Sequence, residues 1–154
     1  MTQTNPLLSV STLPNMAPPF DRIRNEDYLP AIEAAIAEAR RNVEAVKLNP
    51  DKPDFENTIV ALETASELLD QATGIFYNLL SASGNDFMQD LSQKIGPLTS
   101  NFSSDIALDA DLFARIKVVW DARDAQALTG EQHKLLEETY KGFVRSGALL
   151  PPEK

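Results

Sequence analysis

Apolar residues recur along most of this chain at helical spacing. Leu29, Ile32, Ile36, Ala39, Val43 and Val46 are separated by three, four, three, four and three positions, which predicts one helix with a seam that packs against others. Asn25 is its expected N-cap, Glu26 and Asp27 fall in the first turn where the helix dipole favours them, and Pro50 ends it. After the turn NPDKPD, Asp54 is expected to cap a second helix from Phe55 to about Ser81. Its apolar face is wide, with Ile59, Leu62, Leu68, Leu69, Ile75, Phe76, Leu79 and Leu80, until SASGND breaks the pattern. A third helix is expected from about Asp86 to Leu108, on Met88, Leu91, Ile95, Leu98, Phe102 and Ile106. Gly96-Pro97 stands in its middle; a proline there removes one hydrogen bond and crowds the preceding turn, so a kink or an interruption is expected. Asp109 caps a fourth helix with Leu112, Ile116, Val119 and Trp120 inward. Thr129 and Gln132 make a capping box for a fifth, with Leu136, Tyr140, Phe143 and Val144 inward.

No segment shows sustained period-two alternation, so the fold class is all-α: an antiparallel helical bundle of about five helices, with breaks near 49–54, 82–85, 109 and 124–129. Leu62, Leu69, Phe76, Ile95, Leu98 and Phe102 are the expected core. Residues 1–24 read as an extended arm, because Pro6, Pro14, Pro18 and Pro19 resist helix. The arm carries Leu7, Leu8, Leu13, Met16, Phe20 and Ile23, which suits a segment lying along the body or a partner. Residues 25–154 are the helical body. Gly147 is a helix stop, and the two prolines and two charges after it resemble the start of another helix, so the body is expected to be incomplete.

Composition narrows the function classes. At 154 residues, 43% hydrophobic and 24% charged, the chain is an ordinary globular domain with room for one sizeable core. No apolar run approaches the ~20 residues needed to span a bilayer. The first twenty residues lack a basic segment followed by an apolar one, so no signal peptide is read and a cytoplasmic location is expected. With no cysteine there is no disulfide, thiolate metal site or cysteine nucleophile. A net charge of −9 without a Lys/Arg stripe repels phosphate, which argues against nucleic acid and against an anionic membrane as partners.

Candidate chemistry is sparse. His133, the single histidine, lies in EQHKLLEETYKGF, with Glu137 one turn later. A zinc helix of the H-E-x-x-H type needs two histidines four apart and a glutamate beside the first; here Lys134 follows the histidine and Glu137 stands where the second would be. His133 instead fits the outer position of a hydrophobic staple with Leu128. Glu63, Glu67, Asp70, Glu137 and Glu138 have the spacing of solvated helix faces, and the serines of SNFSSD have no neighbouring base. The aromatic residues sit mostly at inward positions; Tyr77 and Tyr140 are the better contact candidates because a phenol seeks a partner for its hydroxyl. No catalytic, cofactor-binding or metal-ligating residue is assigned.

The stretches NPLLSVSTLP, APPFDRIRNEDYLPAIEAAIAEA, PDFENTIVALE, LFARIKVVWDARD and YKGFVRSGALLPPEK together resemble the N-terminal region of the thimet-oligopeptidase-like zinc metallopeptidases. The likeness is to the bacterial peptidyl-dipeptidase (dipeptidyl carboxypeptidase) branch in particular, and next to oligopeptidase A. It covers nearly the whole chain, and FENTIVALE and FVRSGALL are its most specific pieces. The resemblance implies a much longer, largely helical hydrolase whose two lobes face a deep channel. Such an enzyme cleaves short peptides with a zinc ion held by H-E-x-x-H and a downstream glutamate in its C-terminal lobe. That motif is absent here, so no residue role carries over. The chain is expected to be a non-catalytic N-terminal lobe fragment, inactive and without cofactor by itself, with short peptides and the missing catalytic lobe as partners. The alternative is a stand-alone helical interaction module without activity. A metal-binding bundle built on His133 and carboxylates ranks last, for lack of paired E-x-x-H motifs.

Overall fold

Proline, glycine and capping side chains divide the chain into helices at nearly every break that the pattern predicts. The computed structural model describes residues 5–9 and 11–149. Among these are the helices α1 (Tyr28–Leu48), α2 (Ala61–Glu63), α3 (Glu67–Ser83), α4 (Asp86–Ala107), α5 (Ala110–Asp121) and α6 (Gly130–Arg145). A π-helical turn, Phe55–Val60, precedes α2, and short 3-10 turns lie at Pro6–Leu8, Pro14–Met16, Asn25–Asp27 and Arg123–Ala125. No strand occurs among the described residues, and the all-α class holds.

The caps are those the sequence offers. Asp54 Oδ1 accepts from the Asn57 amide at 2.7 Å while Asn57 Oδ1 accepts from the Asp54 amide at 3.0 Å. Asp109 Oδ1 accepts from the Leu112 amide at 2.9 Å. Thr129 and Gln132 form the reciprocal box, at 3.3 and 2.9 Å. At the other end of α6, Gly147 takes φ 101°, and the amides of Gly147 and Ala148 return to the carbonyls of Val144 and Phe143 at 3.0 and 3.1 Å. This is the six-to-one and five-to-two pairing that a left-handed glycine permits at a helix stop. The helix start expected to follow, with its Pro-Pro pair, lies outside the described residues.

Some expectations are corrected. The second helix is not continuous: the π turn and α2 end at Glu63, and α3 begins at Glu67. Thr64 Oγ1 donates to the Val60 and Ala61 carbonyls at 3.0 and 3.4 Å, competing with the backbone ladder. Asn42 Nδ2 takes up the Ala65 carbonyl at 3.0 Å, so the break leaves that acceptor satisfied. Asn25 is not an N-cap but the first residue of a 3-10 turn, in which Asp27 Oδ2 accepts from the Arg24 amide at 2.8 Å. Of the kink or interruption expected at Pro97, the interruption does not occur: α4 runs through it. Both Pro97 and Gln93, whose carbonyl loses its partner, are exposed; water can solvate that carbonyl, which makes the missing bond tolerable. Finally, Leu62 and Leu98 are only partly buried, whereas Leu69, Phe76, Ile95 and Phe102 are core as expected.

The chain forms two compact units, one of residues 1–40 and 66–100, the other of 41–65 and 101–154. In the first, Tyr28, Ala31, Ile32 and Ala35 are buried on α1, where small residues let neighbouring helices approach; Leu29 and Ile36 are only partly buried. Phe76 is fully buried, edge-on to Tyr28 at 5.2 Å and to Tyr77 at 5.1 Å. The arm is not simply extended. Asn5 caps its first turn, accepting from the Leu7 amide at 3.0 Å and donating to the Asp27 carbonyl at 2.8 Å, so that Leu7 is buried and its turn lies against α3. Farther along, Asn15 and Met16 both have positive φ (57° and 54°), and Leu13, Met16 and Phe20 are exposed rather than laid on the body.

In the second unit, Val43, Val46, Phe55, Ile59, Leu112, Phe113, Ile116, Val119, Leu136 and Phe143 belong to one core. Trp120, Leu128, Tyr140 and Val144 pack against it, half-buried.

Candidate functional site

The chemically richest surface of the second unit lies where α5 and α6 pack. Phe113 on α5 stacks on Phe143 and Tyr140 of α6, with centroids 6.1 and 5.7 Å apart. Tyr140 in turn lies against Trp120, 4.6 Å away and 4° from parallel. Arg123 closes the stack: its guanidinium carbon is 4.2 Å from the Trp120 ring centroid and its Nη1 donates to the Trp120 carbonyl at 2.8 Å. The ladder runs from a buried ring to a half-buried cation. Beside it is a shallow recess of about 300 Å³ lined by Trp120, Arg123, Gly130, His133, Lys134 and Glu137.

His133 therefore stands at a surface recess, exposed, with its amide bonded to the Thr129 carbonyl at 2.9 Å; Leu128, its expected staple partner, packs against the core. Glu137 is bonded to Lys141 and lies 3.6 Å from Lys134. The Lys141 hydrogen bond, then the charges of Lys141 and Lys134, hold the Glu137 carboxyl below its ordinary range. Glu138 is lowered likewise, chiefly by its 2.7 Å bond from Lys134. Carboxylates held ionised by lysines serve poorly as proton donors, and these are i,i+3 and i,i+4 surface pairs of small energetic weight. Glu63, Glu67 and Asp70 are exposed, and Asp70 accepts from Ser66 Oγ at 3.2 Å. Among the described residues no group of three or more His, Asp or Glu side chains could hold a metal ion. Of the two tyrosines, Tyr140 is built into the ladder and Tyr77 is exposed on α3.

Sequence reasoning missed two polar arrangements in this unit. Lys47, near the end of α1, reaches Asp109 Oδ2 at 2.8 Å and Glu44 at 3.1 Å, so the residue that caps α5 is also an ion-pair partner of α1. Burial works to raise the Asp109 pKa, but the Lys47 bond and the Leu112 amide together outweigh it and the value falls below the ordinary one. A depressed carboxylate contributes stability that is present above its unfolded pKa and is lost as pH falls through the folded value. Asp109→Ala is therefore expected to cost about 0.5–2 kcal/mol at neutral pH through the lost cap. The gap to wild type narrows in urea unfolding once pH drops below the ordinary carboxylate range. An equal gap at about pH 3 and pH 7 would refute the ion-pair contribution. The second arrangement centres on Arg115, whose Nη1 donates to the Asn49 carbonyl at 2.6 Å. Nothing in LFARIK distinguishes this arginine from a solvated one.

No family model matches the chain. The chain is 41% identical over 150 residues to the dipeptidyl carboxypeptidase of Escherichia coli (strain K12), which is 97% of this chain and 22% of that protein. Identity to the dipeptidyl carboxypeptidase of Salmonella typhimurium (strain LT2) is 39% over 150 residues, again 22% of the relative. Identity to oligopeptidase A of Escherichia coli (strain K12) is 27% over 151 residues, 98% of this chain and 22% of the relative. The chain thus spans about a fifth of the length of the curated relatives it matches.

Proposed function

Because this chain belongs, over nearly its whole length, to the family of dipeptidyl carboxypeptidase and oligopeptidase A, we propose that it is a non-catalytic N-terminal part of a zinc-dependent peptidase, forming one wall of the channel through which short peptides reach the active centre. The observation that carries this reading is the 41% identity across 97% of the chain to a protein named for removing dipeptides. A wall of packed helices selects by size: extended, flexible peptides enter a narrow channel and folded proteins do not. The net charge of −9 suits traffic of neutral or cationic peptides rather than of nucleic acid.

Zinc catalysis requires three protein ligands and an open position for water. The residues here do not fit that requirement, since His133 is exposed with Glu137 bound to lysines. In this reading the zinc ligands lie elsewhere in the parent enzyme, and its site of action is the cytoplasm.

The test compares this chain with a full-length parent, both purified and dialysed. Metal analysis and a quenched peptide substrate, with and without chelator, are the readouts. The parent is expected to hold zinc and to release C-terminal dipeptides or cut short oligopeptides in a chelator-sensitive manner, with rates falling steeply as the substrate becomes longer or folded. The isolated chain is expected to do neither. Chelator-sensitive turnover by the chain alone would overturn the non-catalytic assignment. A parent without metal or activity would favour a stand-alone helical interaction module instead.

A further inference from the structure

The segment FENTIV is held in an uncommon conformation by a network that centres on one side chain. Phe55–Val60 is π-helical, with the Ala61 amide shared between the Glu56 carbonyl, five residues back, and the Thr58 carbonyl. Runs of this kind are rare, because the widened turn sacrifices packing along its axis, and they persist where the surroundings enforce them. Here Phe55, Thr58 and Ile59 are buried. Asn57 Oδ1 accepts from the Asp54 amide at 3.0 Å, from Thr58 Oγ1 at 2.8 Å and from Arg115 Nη2 at 3.3 Å, while Asn57 Nδ2 donates to the Lys52 carbonyl at 3.0 Å. Arg115, on α5, also donates to the carbonyls of Asn49 and Asp51, at 2.6 and 3.4 Å. One guanidinium therefore ties the end of α1, the connecting turn and the π turn together.

We propose that Arg115 is a latch on a two-state element: seated, it holds Phe55–Val60 in the π register; withdrawn, it lets the segment relax to the α register. The energetics suit a latch rather than a fixed strut. These three acceptors are neutral oxygens, two of the bonds are near the length limit, and Arg115 Nε is buried without a partner. Moving from π to α shifts the hydrogen-bond register by one residue. That rotates the residues after the turn by roughly 100° relative to those before it. Ala61, Thr64 and Ala65 line a groove of about 330 Å³ together with Asn42 and Asn49 of the α1 end and Asn57 of the turn. Two of these, Asn49 and Asn57, are the residues Arg115 grips. The latch thereby sets the shape of that groove.

The direct readout is the through-hydrogen-bond scalar coupling of the Ala61 amide in the whole chain. In wild type it is expected to report the Glu56 carbonyl, alongside the Thr58 carbonyl that the same amide meets. In Arg115→Met it is expected to move to the Asn57 carbonyl, with amide exchange across residues 55–64 about ten-fold faster and exchange in α3 unchanged. Arg115→Lys serves if the methionine variant does not fold: it keeps a donor for Asn49 but not the fork to Asn57, so two Ala61 signals are expected, one for each register. A folded Arg115 variant in which Ala61 still pairs with Glu56 and residues 55–64 exchange at the wild-type rate would overturn the latch. Faster exchange spread equally over every helix would also overturn it, because Arg115 would then be a general stabiliser.

Discussion

Replacing Phe76 with alanine is expected to lower the unfolding free energy by about 3–5 kcal/mol, the range for deleting a fully buried aromatic ring. The ring is fully buried on α3 and meets Tyr28 and Tyr77 edge-on. The loss combines the transfer energy of the ring, the cavity it leaves, and two edge-to-face contacts of about 0.5–1.5 kcal/mol each. Domains of this size hold only about 5–15 kcal/mol in total, and the thermal midpoint should fall by roughly 10 °C. Urea titration followed by far-UV circular dichroism measures it; an unchanged midpoint would mean that Phe76 is not the centre of its unit.

The second large effect is expected at Ile116, and its contrast with Leu62 and Leu98 is as informative as its size. Ile116 is fully buried on α5 in the core that also holds Leu112, Val119 and Leu136. Ile116→Ala should cost about 2–5 kcal/mol. Leu62→Ala and Leu98→Ala remove the same number of carbons from partly exposed positions, where water already covers part of the side chain. Each should cost clearly less, because burial energy scales with the apolar area that leaves water. Equal losses at all three positions would contradict the burial pattern.

Those leucines show where reading the sequence stops. Spacing identifies which side of a helix turns inward but not the centre of the buried stripe. On α1 the seam through Leu29 and Ile36 is displaced toward Tyr28, Ala31 and Ala35, because alanine is counted as weakly apolar although it allows the closest approach. Helix ends were legible where one side chain makes them, as at Asp54, Asp109, Thr129 and Gly147. The break at Thr64–Ser66 was not. Threonine and serine inside an apolar pattern are compatible with a helix, and the Asn42 bond that accommodates the break comes from 23 residues away. The π turn was hidden for a similar reason, since its selectors include an arginine 58 residues from Asn57. The likeness to dipeptidyl carboxypeptidase and oligopeptidase A, in contrast, was legible in FENTIVALE and FVRSGALL, although neither stretch contains a catalytic group. The candidate site offered less: EQHKLLEETYKGF suggested its histidine, while the aromatic ladder beside it depends on α5 meeting α6.

That ladder has a spectroscopic consequence. Trp120 is the single tryptophan of the chain, and it is pressed between Tyr140 and the Arg123 guanidinium in the second unit. Tyr28 and Tyr77 belong to the first unit. Selective excitation of the indole therefore watches only the α5–α6 packing, while far-UV dichroism averages over all helices. Superimposable unfolding curves from the two signals would identify the 154 residues as one cooperative system. Separated curves would give each unit its own free energy, with the indole as the label that tells which transition belongs to which.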